Sequence, residues 1–125
     1  MNDVELTVRP FTMGTLKEAA LKPLEEASEV HGAWQMARGA EIVESRQSVI
    51  YKTWLVRIAD EIADTIQACV NLAARYDLDL VAAMERCEER NRERGRYDEM
   101  SEDARRVFDR LMDESAGKRV RGDGE

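Results

Sequence analysis

Residues 47–76, QSVIYKTWLVRIADEIADTIQACVNLAARY, run for 30 positions without glycine or proline. Within them Ile50, Trp54, Ile58, Ile62, Ile66, Val70 and Ala73 recur at spacings of three and four, the period of an α-helix with one apolar stripe. The segment predicts one long helix and sets the fold class as all-α. The flanks agree. Upstream, Thr15 is followed three residues later by Glu18, a capping box in which each side chain satisfies an orphan amide at a helix start. The helix predicted from there contains Pro23, which has no amide hydrogen and predicts a kink, or a short lead-in before a main helix over 23–37. Gly39 reads as its stop, and residues 40–46 fit a loop, a short helix or an extension of the next helix. Downstream, Asp79 caps a helix whose apolar face holds Leu80, Ala83, Met84 and Cys87, and Gly95 ends it. Ser101, with Glu102 and Asp103 in the first turn, opens a last helix carrying Val107, Phe108, Leu111 and Met112.

The organisation that follows is an extended arm over 1–13, which contains Pro10 and no helical period, then a helical domain over 14–97. A C-terminal helix over 98–116 and a charged, Gly-containing tail over 117–125, read as disordered, complete it. Composition supports this: 125 residues suit one domain, and 7 Gly and 2 Pro leave helix interiors largely uninterrupted. The chain carries a net charge of −7, which argues against a protein built to neutralise nucleic acid or an anionic membrane. No apolar run approaches the roughly 20 residues of a spanning helix. Asn2, Asp3 and Glu5 do not make a secretory leader. Cys69 and Cys87 do not form a disulfide framework, and they read as reduced core thiols in a cytoplasmic protein.

The acids are not spread evenly. Residues 1–85 hold 8 basic and 14 acidic groups, and two clusters stand out. One is Glu25, Glu26 and Glu29; the other is Asp60, Glu61 and Asp64. Helical positions three apart lie about 60° apart on one face, so Glu26 pairs with Glu29 and Glu61 with Asp64. Like charges at this spacing cost an isolated helix a few tenths of a kcal/mol. Two such pairs on the central helices of a small bundle ask for a cation. Trp54, Arg57, Ala68, Asn71 and Arg75 extend the Glu61/Asp64 face, while Lys22 and Ala33 flank the Glu26/Glu29 row. If the two helices pack antiparallel, four carboxylates can converge, a donor set that suits Mg²⁺ or Mn²⁺. A di-iron bundle site needs two Glu-x-x-His motifs, and His31 is the only histidine. Zinc is equally poorly served.

On these residues, EExxE followed by DExxD on successive helices, the chain resembles the MazG-like all-α nucleoside triphosphate pyrophosphohydrolases, a superfamily that includes dimeric dUTPases and dCTP pyrophosphatases. The stretch NLAARYDLDLVAAMERCEERNRERGRY is similar to the helix that closes the family's four-helix unit, so the resemblance covers 14–97. It implies a four-helix-bundle-like unit with Mg²⁺, or Mn²⁺ in its place, on Glu26, Glu29, Glu61 and Asp64. The implied reaction is hydrolysis of the α–β phosphoanhydride of a nucleoside triphosphate to monophosphate and pyrophosphate. Glu25 or Glu29 is the general base, and sequence does not separate base from ligand. Asn71 is the candidate for sugar or phosphate. Lys22, Arg57, Arg75, Asn91 and Arg94 are candidate phosphate contacts, and Trp54 is a candidate for base stacking.

The chain departs from the pattern in the 31 residues between Glu29 and Glu61, more than the compact members have. Met36 stands seven past Glu29, where dCTP-preferring members have tryptophan, and Trp34 falls off the acidic face. Several of these residues also have an ordinary reading. Lys22, four before Glu26, has the spacing of an intrahelical ion pair. Arg90, Arg92, Arg94 and Arg96 interleave with Glu88, Glu89 and Glu93 as a solvated face does. Trp54 suits a core or a subunit interface, and His31 a structural or exposed position. The rival to an enzyme is a non-catalytic helical interaction or regulatory module with an acidic partner-binding face. In either case the wide apolar stripes predict a homodimer or a tetramer of dimers.

Overall fold

The computed structural model describes residues 3–98 and 106–114. It is all-α: helix α1 spans Leu16–Val43, α2 Val49–Arg75 and α3 Leu80–Glu93. A short helical stretch over 106–114 completes it, and no strand occurs among the described residues. Two compact units divide the chain, residues 1–82 and 83–125. The first holds the arm, α1 and α2, and all the acidic clusters described above.

Local chemistry explains where the helices begin and end. Gly14 turns the chain at φ +76, and Thr15 then caps α1. Its Oγ1 accepts from the Glu18 amide at 3.1 Å, while its own amide donates to Glu18 Oε1 at 2.8 Å. Thr15→Ala is expected to cost about 1 kcal/mol of stability, read as a lowered urea midpoint at unchanged slope.

α1 runs through both expected interruptions. Pro23 lies inside it, and the helix is not divided because Ala19 and Glu26, on either side of the proline, are both buried. Gly39 lies in helical conformation, with nothing within 4 Å of where a Cβ would stand. The helix ends only at Val43, so residues 40–43 extend α1 and not α2. Its last turn is tied back by Glu41, which pairs with Arg38 at 2.8 Å and with Arg46 beyond the helix end. These two guanidinium groups, Arg46 first, hold the Glu41 carboxyl below its usual range.

Residues 44–48 make the turn into α2. Ser48 Oγ accepts from the Tyr51 amide at 3.1 Å and caps the new helix. At the far end Asp77 takes φ 50, a conformation that aspartate tolerates better than most residues. The Leu78 amide then reaches Ala73 O at 3.0 Å and the Asp77 amide reaches Ala74 O at 3.3 Å, which closes the exposed carbonyls in a Schellman motif. Asp79 Oδ1 accepts from the Ala82 amide at 3.0 Å and starts α3. Gly95, at φ +69, ends α3 as expected.

A five-residue link returns α2 antiparallel along α1, and the two helices pack against each other. Their seam is made of small residues. Ala19, Glu26, Ala33 and Ala40 are buried at successive sevens on α1, with Ala37 beside them; Glu61, Ala68 and Ala73 are buried on α2. Alanine lets two helix backbones approach closely, and a seven-residue repeat keeps one narrow stripe facing the partner. Of the apolar stripe of α2, Ala73 alone is buried. Ile50 and Ile62 are exposed, and Trp54, Ile58, Ile66 and Val70 are half-buried. Cys69 is exposed and Cys87 half-buried, so neither is the core thiol its sequence context suggested.

The second unit contains most of α3 and the helix over 106–114. No side chain of α3 is buried. Val107, Phe108, Leu111 and Met112 lie in the helical stretch as expected and are exposed. The remainder of the predicted 98–116 helix, residues 99–105 and 115–116, and the tail over 117–125 lie outside the described residues.

Candidate functional site

Among the described residues, two of the eight that are buried are glutamates. Glu26 occupies an alanine position in the α1 seam, and Glu61 does the same in α2; each is 8% exposed. Both have the same supporting arrangement. Lys22, four residues before Glu26, places Nζ at 3.2 Å from Glu26 Oε1. Arg57, four residues before Glu61, places Nε at 3.0 Å from Glu61 Oε1. In each case one carboxylate oxygen is held by a cation on its own helix. The other oxygen, Oε2, is buried with no hydrogen-bond partner in both residues. Unpartnered buried carboxylate oxygens are expensive, because they lose water and receive nothing in exchange.

Glu29, one turn beyond Glu26, completes a group. One carboxylate oxygen from each of Glu26, Glu29 and Glu61 lies within 4.8 Å of the others. Glu29 itself is exposed. The carboxyls of Glu61 and, next, Glu26 push its pKa up, since a proton between crowded carboxylates relieves their repulsion. A donor set of three carboxylates, two with a buried free oxygen, fits a hard divalent cation.

Asp64 does not join this group. It is exposed and lines a neighbouring cavity of about 440 Å³, together with Glu26, Glu25 and Lys22. The expectation of four converging acids is therefore corrected to three. Three residues turn a side chain about 60° around the helix, so Asp64 faces the cavity while Glu61 enters the seam. Glu25 is exposed at the cavity mouth, with Lys22 Nζ at 3.6 Å.

The other expected contacts are distributed differently. Lys22 and Arg57 are the intrahelical partners of Glu26 and Glu61, so their charge serves the cluster. Asn71 and Arg75 line the cavity, but both are engaged with the arm. The Phe11 amide donates to Asn71 Oδ1 at 2.9 Å, and Arg75 Nη1 donates to Gly14 O at 3.3 Å. Trp54 is half-buried on α2 and lines no part of this cavity. Asn91 and Arg94 belong to the second unit. Asn91 Nδ2 makes local contacts there, to Tyr97 Oη at 3.3 Å and Cys87 Sγ at 3.7 Å. His31 is exposed and stacks on Trp34 at 5.6 Å between ring centroids.

Sequence reasoning missed Phe11, Met13 and Gln67. Gln67 Nε2 donates to Arg9 O and to Asn71 Oδ1, both at 2.9 Å. A signal for Gln67 was present, since it stands three residues after Asp64 and four before Asn71 on one helical face. Nothing comparable marks Phe11, because an extended arm has no period from which to infer its docking.

No protein-family model matches the chain, and no match to it is found among curated proteins or solved structures. Among the described residues, no helix is long and apolar enough to cross a membrane.

Proposed function

We propose that the chain is a Mg²⁺-dependent nucleoside triphosphate pyrophosphohydrolase, with Mn²⁺ as a substitute ion, held on Glu26, Glu29 and Glu61. One observation carries this reading: Glu26 Oε2 and Glu61 Oε2 are buried, unpartnered and adjacent to a third carboxylate. The resemblance carried by EExxE and DExxD supplies the reaction class. A divalent ion, when bound, supplies the positive charge that lets a polyphosphate approach an acidic site.

The chain's own residues have separable tasks. Lys22 and Arg57 hold one oxygen of Glu26 and Glu61 and leave the second oxygen of each for a ligand. Glu29, the exposed member of the group, is the candidate to take the proton of the attacking water. Glu25 stands beside it as the alternative base. Hydrolysis consumes one water, whose oxygen bonds to phosphorus as the bridging α–β P–O bond breaks, and pyrophosphate leaves. The self-association expected from the sequence draws support from Leu24, Val56 and Ile62, which are exposed at 70%, 62% and 44%.

The test is a panel of ribo- and deoxyribonucleoside triphosphates with Mg²⁺ or Mn²⁺, resolving the products. Monophosphate and pyrophosphate are expected in equal amounts. Diphosphate with orthophosphate would refute the cleavage position. No product, together with no metal-dependent change in melting, would favour the interaction module.

A further inference from the structure

The cavity beside the carboxylates has one wall that neither long helix provides. Phe11, Met13 and Gly14 of the arm face Leu21 and Lys22 of α1 and Asn71 of α2 across about 440 Å³. That volume lies within the roughly 300–1,000 Å³ typical of small-molecule pockets. Glu26 belongs to both the cavity wall and the carboxylate group. A ligand whose charged end reaches the carboxylates therefore carries its remaining atoms into the cavity.

The arm makes no helix of its own, yet side chains of α2 hold it at three points: Gln67 on Arg9 O, Asn71 on the Phe11 amide, and Arg75 on Gly14 O. These bonds span about 60 residues of sequence and fix residues 9–14 over the cavity. Two apolar side chains are thereby presented while still largely uncovered, Phe11 at 50% exposure and Met13 at 68%. An aromatic face and a thioether beside a carboxylate group of cation-binding dimensions suit a planar ring attached to a phosphate chain.

We infer that the arm supplies the recognition surface for the organic part of the ligand: a nucleoside ring packs on Phe11 and Met13, while its phosphates lie at Glu26, Glu29 and Glu61. Gln67 and Asn71 are positioning residues that act through the arm. The inference rests on the proposed metal-polyphosphate reading for where the phosphates sit.

The test is calorimetry of the full chain with Mn²⁺ alone, then with Mn²⁺ and either a non-hydrolysable α,β-methylene nucleoside triphosphate or inorganic tripolyphosphate. The second probe has the phosphates without the nucleoside. Phe11→Ala is expected to weaken the nucleotide about tenfold or more, with Mn²⁺ and tripolyphosphate affinities within about twofold of the unmodified chain, and Phe11→Tyr is expected to restore the nucleotide. Asn71→Leu should speed hydrogen exchange at the Phe11 amide and weaken the nucleotide in the same selective way. A nucleotide advantage over tripolyphosphate that survives Phe11→Ala overturns the inference alone. Absence of Mn²⁺ binding to the unmodified chain overturns the metal reading, and the inference with it.

Discussion

Glu61→Gln is expected to abolish stabilisation by Mg²⁺ and to lower pyrophosphate release at least about a hundredfold, the upper range for disturbing even the supporting residues of a metal site. The same substitution is expected to make the metal-free protein more stable. Glu61 is 8% exposed and its Oε2 has no partner, so its charge is held in the seam at a cost that glutamine avoids. The lost ion pair offsets little of this, since the side chain of Arg57 is 63% exposed and returns to water. A gain of about 1 kcal/mol, the scale of one buried unsatisfied group, raises the melting temperature by a few degrees. By contrast, the unmodified chain at a hundredfold excess of Mg²⁺ over its dissociation constant gains about 2.7 kcal/mol. Thermal melts of both proteins with and without Mg²⁺ read these opposite signs directly. An equal Mg²⁺ shift in the two would rule out Glu61 as a ligand.

Ala37→Leu is expected to destabilise the first unit by about 1–3 kcal/mol, the usual result of adding methylenes to a closed seam. Ala37 is the most buried of the core residues, at 3% exposed, and it lies where α1 meets α2. A leucine there must displace one helix from the other. Because Glu26 and Glu29 come from α1 and Glu61 from α2, the same displacement is expected to weaken the proposed metal binding, although residue 37 is not in the carboxylate group. Urea denaturation measures the first effect and Mn²⁺ titration the second. Val43→Ala, at a residue 82% exposed, serves as the control and should change stability by no more than about 0.5 kcal/mol. Unchanged stability in Ala37→Leu would mean that the alanine seam does not set the helix spacing.

Thr15 with Glu18, Asp79 and Gly95 marked helix ends correctly because capping is settled within a few residues. Gly39 misled because its local preference was outweighed by neighbours buried against α2, and α1 likewise continues undivided through Pro23. The apolar stripe of α2 was read correctly as helical, but its period did not say which face of the helix α1 covers. Periodicity reports that a face exists, whereas the partner helix decides which face is covered. Here the covered face follows the small residues, which allow closer approach than the isoleucines do.

The same division holds at the candidate site. Sequence determined the helices, their caps, the pairing of Glu26 with Glu29 and the suitability of these acids for a hard cation, all of which depend on a rise and turn repeated over a few residues. Tertiary structure decided that Glu61 enters the seam and Asp64 does not, and that Asn71 and Arg75 hold the arm. Those outcomes depend on how far α2 is rotated against α1 and on contacts about 60 residues apart in the chain. Neither has a local signature, because each is set by the packing of surfaces that meet only after the helices have formed.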